Sequence, residues 1–264
     1  MLALNFRSKC CENHNAKFTA DFSLSRLISE YISELFNERN IPEKLRKQLF
    51  EFFFEKLSSG IDEGYPVTVE QYSKPLAAKL KKNIAEFSAF KETAFKAALE
   101  LLLTDDKGDL VPWSAFKKAA LQVSGDYNTR FLEAEYHQTV ATANMAGKWQ
   151  DFQRNKELYP NLKYVTVGDG RVRPEHRAWD GIVKPLNDPW WNENLPPNDW
   201  GCRCDAVQTD EPETDQPTGG TQLKIEFANN PGVTGKIFNK SPYEEELSKE
   251  QISEAKRNLK NWQP

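Results

Sequence analysis

The sequence predicts an α+β fold that is mostly helical in its N-terminal half. Apolar residues recur at helical spacing through the first 125 residues, and a long helix follows them. The next block combines short apolar runs with an unusual concentration of tryptophan, cysteine and proline. We therefore expect a helical region at 1–125, a small β-containing domain at 126–208, and an acidic linker with a short strand and a helix at 209–264.

The spacing of apolar residues predicts three helices in the first hundred residues. Asp21 or Ser23 can cap the first helix, because a short polar side chain accepts a hydrogen bond from a free backbone N–H group. Pro42 is favoured at the first position of the second helix, which we expect to stop at Ser58–Gly60. The third pattern, over residues 70–103, repeats about every 3.6 residues. These helices should bury their apolar faces against one another.

A long helix is predicted after a short one that starts at Pro112. Asp126 opens the long helix, which runs from Tyr127 to about Leu158 and is ended by Pro160, because proline cannot continue an α-helix. The alanines on its apolar side would let another element approach closely. Its expected buried stripe consists of Phe131, Ala134, Ala141, Met145, Trp149 and Phe152.

Two apolar runs predict short strands in the block that follows. Lys163–Val167 leads into a Gly-Asp-Gly turn, where glycine supplies the positive φ that a tight turn requires. Ile182–Pro185 forms the second run. The acidic stretch 208–221 is rich in proline and glycine and is typical of a linker or exposed loop. A weaker strand is predicted at Leu223–Phe227, and an amphipathic helix from Ser241 onward.

Composition limits the classes of protein to which this chain can belong. The net charge of −4 over 264 residues argues against a strong general attraction to nucleic acid. No apolar run approaches the ~20 residues that cross a bilayer, and the N-terminus has too short an apolar stretch for a signal peptide. We expect a protein without a membrane partner that folds in a reducing compartment.

The four cysteines fall in two close pairs, Cys10-Cys11 and Cys202-Arg203-Cys204. Cysteines this close make strained disulfides, so reduced thiols or metal ligation are the alternatives. His14 completes a possible cluster with the first pair, although that cluster lies in a terminus that is typical of disorder.

His176 and Asp199 are the candidate partners of the second pair. A zinc site needs about four N, S or O ligands in a tetrahedron, and His176, Asp199, Cys202 and Cys204 would supply them. Zinc is therefore the candidate cofactor. In the alternative interpretation, the cysteines pack as small hydrophobic side chains and the histidine hydrogen-bonds a loop carbonyl.

Catalytic patterns are weak in this sequence. A Cys–His pair exists, but no third group that would orient the histidine can be recognised. Carboxylates are too abundant for one pair to be singled out, and Gly168–Gly170 lacks the length and the Lys-Ser/Thr of a phosphate-binding loop. We predict no catalytic residues and a protein that is not an enzyme.

Arginines and tryptophans are concentrated in the same block. We expect the arginines to pair with the nearby aspartates, and contact with a phosphate backbone is the alternative. The charged residues concerned are Arg171, Arg173, Arg177, Arg203, Asp169, Asp180 and Asp199. The tryptophans should form a small core or serve as interface anchors, since Trp and Arg are typical of binding hot spots. They are Trp179, Trp190, Trp191 and Trp200.

An ordered set of motifs covers residues 126 to 208, starting with the helix NTRFLEAEYHQTVATANMAGKWQDF. The remaining motifs are Tyr164–Val167, Asp169 to Val172, Asp180-Gly181, Pro196-Pro197 and Cys202-Arg203-Cys204. This set resembles the phage Mu protein F-like head-morphogenesis domain of minor capsid proteins.

The resemblance implies a structural role in procapsid assembly, in the host cytoplasm and then in the virion, at the capsid interior or near the portal. The implied partners are portal, coat or scaffold proteins, and packaged DNA in an alternative role as a small DNA-contacting module. A further alternative is a nuclease- or toxin-like effector delivered with phage DNA, because some members carry such a domain after the core domain. Residues 209–264 are too few for a catalytic domain of useful size.

The resemblance also implies a metal knuckle in the many members that carry Cys-x-x-Cys after the Arg-Val pair. In this chain Arg173 stands at the first of those cysteines and His176 at the second, while Asp199 stands near a histidine of the pattern. An arginine could take the place of the metal by bridging Asp199 or Asp169 with paired hydrogen bonds.

Overall fold

The structure of the protein is a computed structural model that describes residues 22–214 and 223–262. The α+β prediction is confirmed, because the described residues are mostly helical and include one small antiparallel sheet. The long helices are α1 (Phe22–Glu38), α2 (Glu43–Gly64), α3 (Lys74–Glu100), α4 (Trp113–Gly125) and α5 (Leu132–Arg154). The later elements are β1 (Asn161–Val165), α6 (Pro174–Ala178), β2 (Val183–Pro185), α7 (Trp191–Asn194), β3 (Asp205–Thr209), α8 (Pro231–Thr234) and α9 (Lys249–Asn261).

The sheet has the order β2-β1-β3, and both pairings are antiparallel. Leu162 lies opposite Lys184 on one side and Gln208 on the other. Leu162 and Tyr164 alternate with less buried neighbours along β1, as expected for a strand with one buried face. The sheet therefore presents one face to an aromatic core.

Two main cores hold the described part of the chain together. The larger core joins the helical half with the segment that follows residue 222, from which Phe227, Phe238 and Tyr243 are buried. The smaller core lies under the sheet and includes Tyr164 and Trp191. Trp262, near the end of the chain, packs against Phe50 and anchors α9 to α2.

The predicted helices of the N-terminal half are present, but several of them begin or end at residues other than those predicted. Asp21 lies outside the described residues, and Ser23 lies inside α1 rather than at its cap. The second helix does not stop at Ser58–Gly60 but continues to Gly64, because its small residues pack closely against α5. The third helix is capped by Ser73, whose side chain accepts from the Leu76 N–H.

The predicted long helix is shorter and more polar inside than expected. A π-helical turn at Asp126–Phe131 precedes α5, which ends at Arg154 rather than near Leu158. In the predicted stripe, Met145, Trp149 and Phe152 are buried, whereas Ala134 is exposed and Phe131 and Ala141 are half-buried. Polar residues take part of the buried face of α5 instead. They are Glu135, Gln138, Thr139 and Thr142.

The strand predictions also needed correction. β1 begins two residues before the predicted run, and β3 extends into the stretch predicted as a linker. The predicted strand Leu223–Phe227 is instead a turn, in which the N–H groups of Phe227 and Ala228 both donate to the Lys224 carbonyl. Phe227 is nevertheless buried, so its apolar character reflects packing against the core and not pairing in a sheet.

The C-terminal helix begins later than predicted. Pro242–Glu246 forms a 3-10 turn, and α9 starts after Ser248. Ser248 and Gln251 form a reciprocal capping box, which satisfies two free N–H groups at the helix start. No helix in the described ranges is long and apolar enough to cross a bilayer.

Candidate functional site

His176 is placed in the aromatic core by the short helix α6. Pro174 takes the first position of this helix, where its missing N–H is not needed. The His176 ring stacks on the Trp179 ring at 5.5 Å with an interplanar angle of 16°. The imidazole is 4% exposed, so its orientation is fixed by packing rather than by solvent.

The two cysteines approach the histidine from the turn that precedes β3. Gly201 has a φ of 63°, which glycine adopts without strain, and the Cys202 N–H donates to the Asp199 carbonyl. Cys202 Sγ lies 3.6 Å and Cys204 Sγ 3.7 Å from His176 Nδ1. The three candidate ligand atoms all lie within 4.8 Å of one another. Three of the four predicted metal ligands are thus brought together.

The two thiols differ in their protonation. The pKa of Cys202 is lowered, chiefly because the Cys204 thiol donates a hydrogen bond to its sulfur, and His176 adds to the effect. The pKa of Cys204 is raised by the same hydrogen bond and by burial. Burial also raises the pKa of Tyr164, which lies beside the pair. The hydrogen bond between the two sulfurs therefore favours ionisation of Cys202 over that of Cys204.

Asp199 does not join the three ligands. Its carboxylate is held by Arg173 Nε at 2.9 Å and Lys224 Nζ at 2.9 Å, and the Trp200 N–H donates to it at 2.8 Å. Arg173 thus contacts Asp199 through one nitrogen and donates its other hydrogen bond to the Trp200 carbonyl at 2.8 Å, so it does not form the paired hydrogen bonds predicted with one carboxylate. It lies beside the Cys–His group and not in place of it. Cys10, Cys11 and His14 lie outside the described residues.

A small cavity opens beside the Cys–His group. It has a volume of about 20 Å³. Its lining includes the three candidate ligands and also Arg171, Arg173 and Arg203. This volume is enough for one water molecule or a ligand of similar size.

The sequence of this chain matches that of a known protein family. The sequence pattern described as "Phage Mu protein F like protein" matches residues 73–207, just over half of the chain. The chain belongs to the phage Mu protein F-like family. The match confirms the resemblance seen in the motifs and extends it, because it begins at residue 73 rather than at 126.

Two curated relatives share part of this F-like region. One is "Putative capsid assembly protein F" of Escherichia phage Mu, 40% identical over 75 residues, which are 28% of this chain and 17% of the relative. The other is "Mu-like prophage FluMu F protein" of Haemophilus influenzae, 41% identical over 63 residues, which are 24% of this chain and 15% of the relative. The chain therefore aligns with less than a fifth of either relative. No solved structure matches it significantly.

Ion pairs organise the surface of the F-like block, by which we mean residues 161–209 with the sheet and the Cys–His group. Arg203 binds the Asp169 carboxylate through two nitrogens, at 2.7 and 2.8 Å, and Arg171 lies 3.8 Å away. Arg177 donates to backbone carbonyls, including that of Asp169 at 3.2 Å. Asp180 accepts the Thr166 N–H at 2.6 Å instead of an arginine. The expected pairing is thus found at Asp169 and Asp199, and this use favours ion pairs over phosphate contact.

Asp169 should titrate well below an ordinary aspartate. The Arg203 guanidinium, with the Arg171 N–H, lowers its pKa from 3.8 to about 2. Because the folded-state pKa is depressed, the contribution to stability is present above the ordinary pKa and is lost as the pH falls through 2. NMR titration of the carboxyl should show a value near 2 that rises toward 3.8 in Arg203→Ala. Arg171→Ala should raise it less, and equal rises would contradict the assignment.

The tryptophans divide between the two cores. Trp179, Trp190 and Trp191 pack around Tyr164 as predicted, with edge contacts of 4.7–6.0 Å between ring centroids. Trp200 was expected in the same cluster but packs against Phe227 and Phe238 in the helical core. It therefore ties the F-like block to the rest of the chain.

The prolines and glycine of the motif shape the backbone around the site. The Pro196-Pro197 peptide bond is cis, and both residues are buried next to Asn198. Gly181 has a φ of 83° and donates its N–H to the Tyr164 carbonyl, which closes the turn into β2. These motif residues thus act as structural elements that hold His176 and the cysteines in place.

Two groups of buried charges in the larger core were not predicted from the sequence. Lys91 pairs with Glu135 at 2.8 Å, and Arg46 pairs with Glu92 at 2.7 Å. A usable signal was present, because Lys91 falls seven residues after Ile84, on the apolar stripe of α3. A charge on such a stripe indicates a buried pair.

Proposed function

We propose that this chain acts in head assembly of a tailed phage or prophage, as a minor head protein. It would dock on portal, coat or scaffold protein, in the capsid interior or close to the portal, after folding in the host cytoplasm. Membership of the Mu F-like family carries this proposal, together with the name of the phage Mu relative as a capsid assembly protein. Since both relatives are named as F proteins and one for assembly, we propose a non-enzymatic role.

Exposed apolar side chains support a docking role for the helical part of the family region. Single exposed apolar residues are ordinary on protein surfaces. Here four come from consecutive segments, at the end of α3, in the following turn and on α4. They are Leu101, Leu110, Trp113 and Leu121, with exposed fractions of 80, 55, 38 and 47%. We propose that they form one surface, which we call the α3–α4 surface.

Trp113 would be the anchor of the α3–α4 surface. Its ring contacts Phe36 and Phe116, so it is held in place while part of it stays open to solvent. Lys117 lies over the ring at 5.8 Å. A rigid, half-exposed tryptophan beside a cation is typical of the residues that dominate binding energy at interfaces.

Genetic complementation tests the proposal. In a host that carries the phage or prophage, deletion of the gene should abolish or strongly reduce filled heads, and the wild-type chain should restore them and co-sediment with procapsids. A Leu110→Asp/Leu121→Asp variant should fold, by circular dichroism, but fail to co-sediment. Leu158→Asp is the matched control, since Leu158 is 72% exposed but lies elsewhere. Normal particle yield after deletion would refute the assembly role.

A further inference from the structure

The Cys–His group already has the spacing of a zinc site. Zinc lies about 2.3 Å from a cysteine sulfur and about 2.0–2.1 Å from a histidine nitrogen, so a tetrahedral centre places sulfur and nitrogen about 3.6 Å apart. Cys202 Sγ and Cys204 Sγ lie 3.6 and 3.7 Å from the same atom, His176 Nδ1. Two sulfurs and one imidazole nitrogen are soft donors, which favours zinc over magnesium or calcium.

The protein supplies three ligands at this position, and a fourth does not come from the obvious neighbour. Asp199 forms ion pairs with Arg173 and Lys224, and it would have to break both contacts to become a metal ligand. No other aspartate or glutamate within 22–214 and 223–262 joins the three atoms. The cavity beside them has room for one water molecule or a ligand of similar size.

The charges around this cavity favour an anion. A zinc ion with two thiolates and a neutral imidazole has no net charge. Arg171, Arg173 and Arg203 line the cavity and no carboxylate does, although Asp169, Asp180 and Asp199 lie nearby. The excess positive charge would stabilise a negative ligand at the open position.

We infer that His176, Cys202 and Cys204 form a three-ligand zinc centre whose fourth position takes an exchangeable anion. The inference is independent of the assembly role, because it concerns only this chain and a metal. It also differs from the four-ligand set that the sequence predicted, since Asp199 acts as an ion-pair partner and leaves the coordination position open.

Metal binding by the purified full chain tests the ligand set. Competition with a chromogenic chelator should give one zinc per chain. Cys202→Ser and His176→Asn should each weaken binding by more than the roughly 10–100-fold that the loss of an outer-sphere partner costs. Asp199→Asn is the matched control and should keep wild-type stoichiometry. Failure of the wild-type chain to bind zinc would overturn the inference without any variant having to fold. An equal loss in Asp199→Asn, with its fold confirmed by circular dichroism, would overturn it as well.

Cobalt substitution tests the open position. The visible spectrum of the cobalt protein should change on titration with thiocyanate, because the anion enters the coordination sphere. Arg173→Cys places a thiolate in the wall of the cavity and should remove this response while strengthening the sulfur-to-cobalt band. A wild-type spectrum that ignores the anion would overturn the open site. The Cys10→Ser/Cys11→Ser/His14→Asn variant should behave as wild type, and a lost ligand there would place the fourth donor in the N-terminus.

Discussion

Replacement of Glu135 by alanine is expected to destabilise the protein by about 3–5 kcal/mol, the usual cost of breaking a buried ion pair. The carboxylate lies 2.8 Å from Lys91 Nζ, and both side chains are almost fully buried. Tyr243 also donates its hydroxyl hydrogen to Glu135. Without the carboxylate, the ammonium group keeps only the Tyr243 oxygen at 3.1 Å and the neighbouring aromatic rings. Chemical denaturation measures the change.

A double variant separates the lost partner from the lost packing. Lys91→Met/Glu135→Leu removes both charges at similar volume, so it should recover most of the stability that Glu135→Ala loses. If the double variant is as unstable as the single one, the unpaired charge is not the cause. The same holds if Glu135→Ala costs less than about 1 kcal/mol, the level of an exposed pair.

The stability of Glu135→Ala should also depend on pH in a defined direction. Burial lowers the pKa of Lys91 below 10.5, and the Glu135 charge opposes this shift in the wild type. Without the Glu135 charge the pKa of Lys91 falls further in the folded state. The folded state then binds fewer protons than the unfolded state over a wider range of pH. The stability of the variant relative to wild type should therefore rise as the pH increases toward 10.5. A fall would contradict the assignment.

The proximity of three candidate site residues was predictable from the sequence, because rare residue types are concentrated there. His176, Cys202 and Cys204 were singled out because such residue types are rarely clustered without a shared role, and they do meet in space. Asp199 could not be assigned in the same way. It precedes Cys202 by three residues, but its partner Lys224 lies 25 residues further along the chain, and that contact depends on tertiary folding.

The fold was predictable where one local period dominates. The 3.6-residue spacing located α3 to within a few residues, because a long amphipathic helix repeats the same signal many times. Short elements gave less information. β3 lies in a polar stretch and is fixed by its pairing with β1, whereas Leu223–Phe227 has the composition of a strand but no neighbouring strand. In both cases a long-range contact decides the structure.

The continuation of α2 through Ser58–Gly60 leads to the second large prediction. Small residues such as these are typical of a helix end, but here they lie where α2 crosses α5. A Cβ atom added at Gly64 would lie 2.2 Å from the Val140 carbonyl oxygen, which belongs to the backbone of α5 and cannot rotate away. Gly64→Ala should therefore push the two helices apart and cost at least the roughly 1–3 kcal/mol that is typical of overpacking.

Gly60 is the matched control, one helical turn earlier on the same face. A Cβ there would lie 3.3 Å from the Tyr136 ring, a side chain that can shift by a few tenths of an ångström. Alanine is favoured over glycine inside a helix by about 1 kcal/mol, so Gly60→Ala should be close to neutral in thermal or chemical denaturation. A large loss in Gly64→Ala beside a small change in Gly60→Ala would show that the α2–α5 crossing, and not helix propensity, selects glycine. Equally small effects would mean that the crossing is adaptable and that Gly60 marks a weak point of α2, in line with the helix end predicted at Ser58–Gly60.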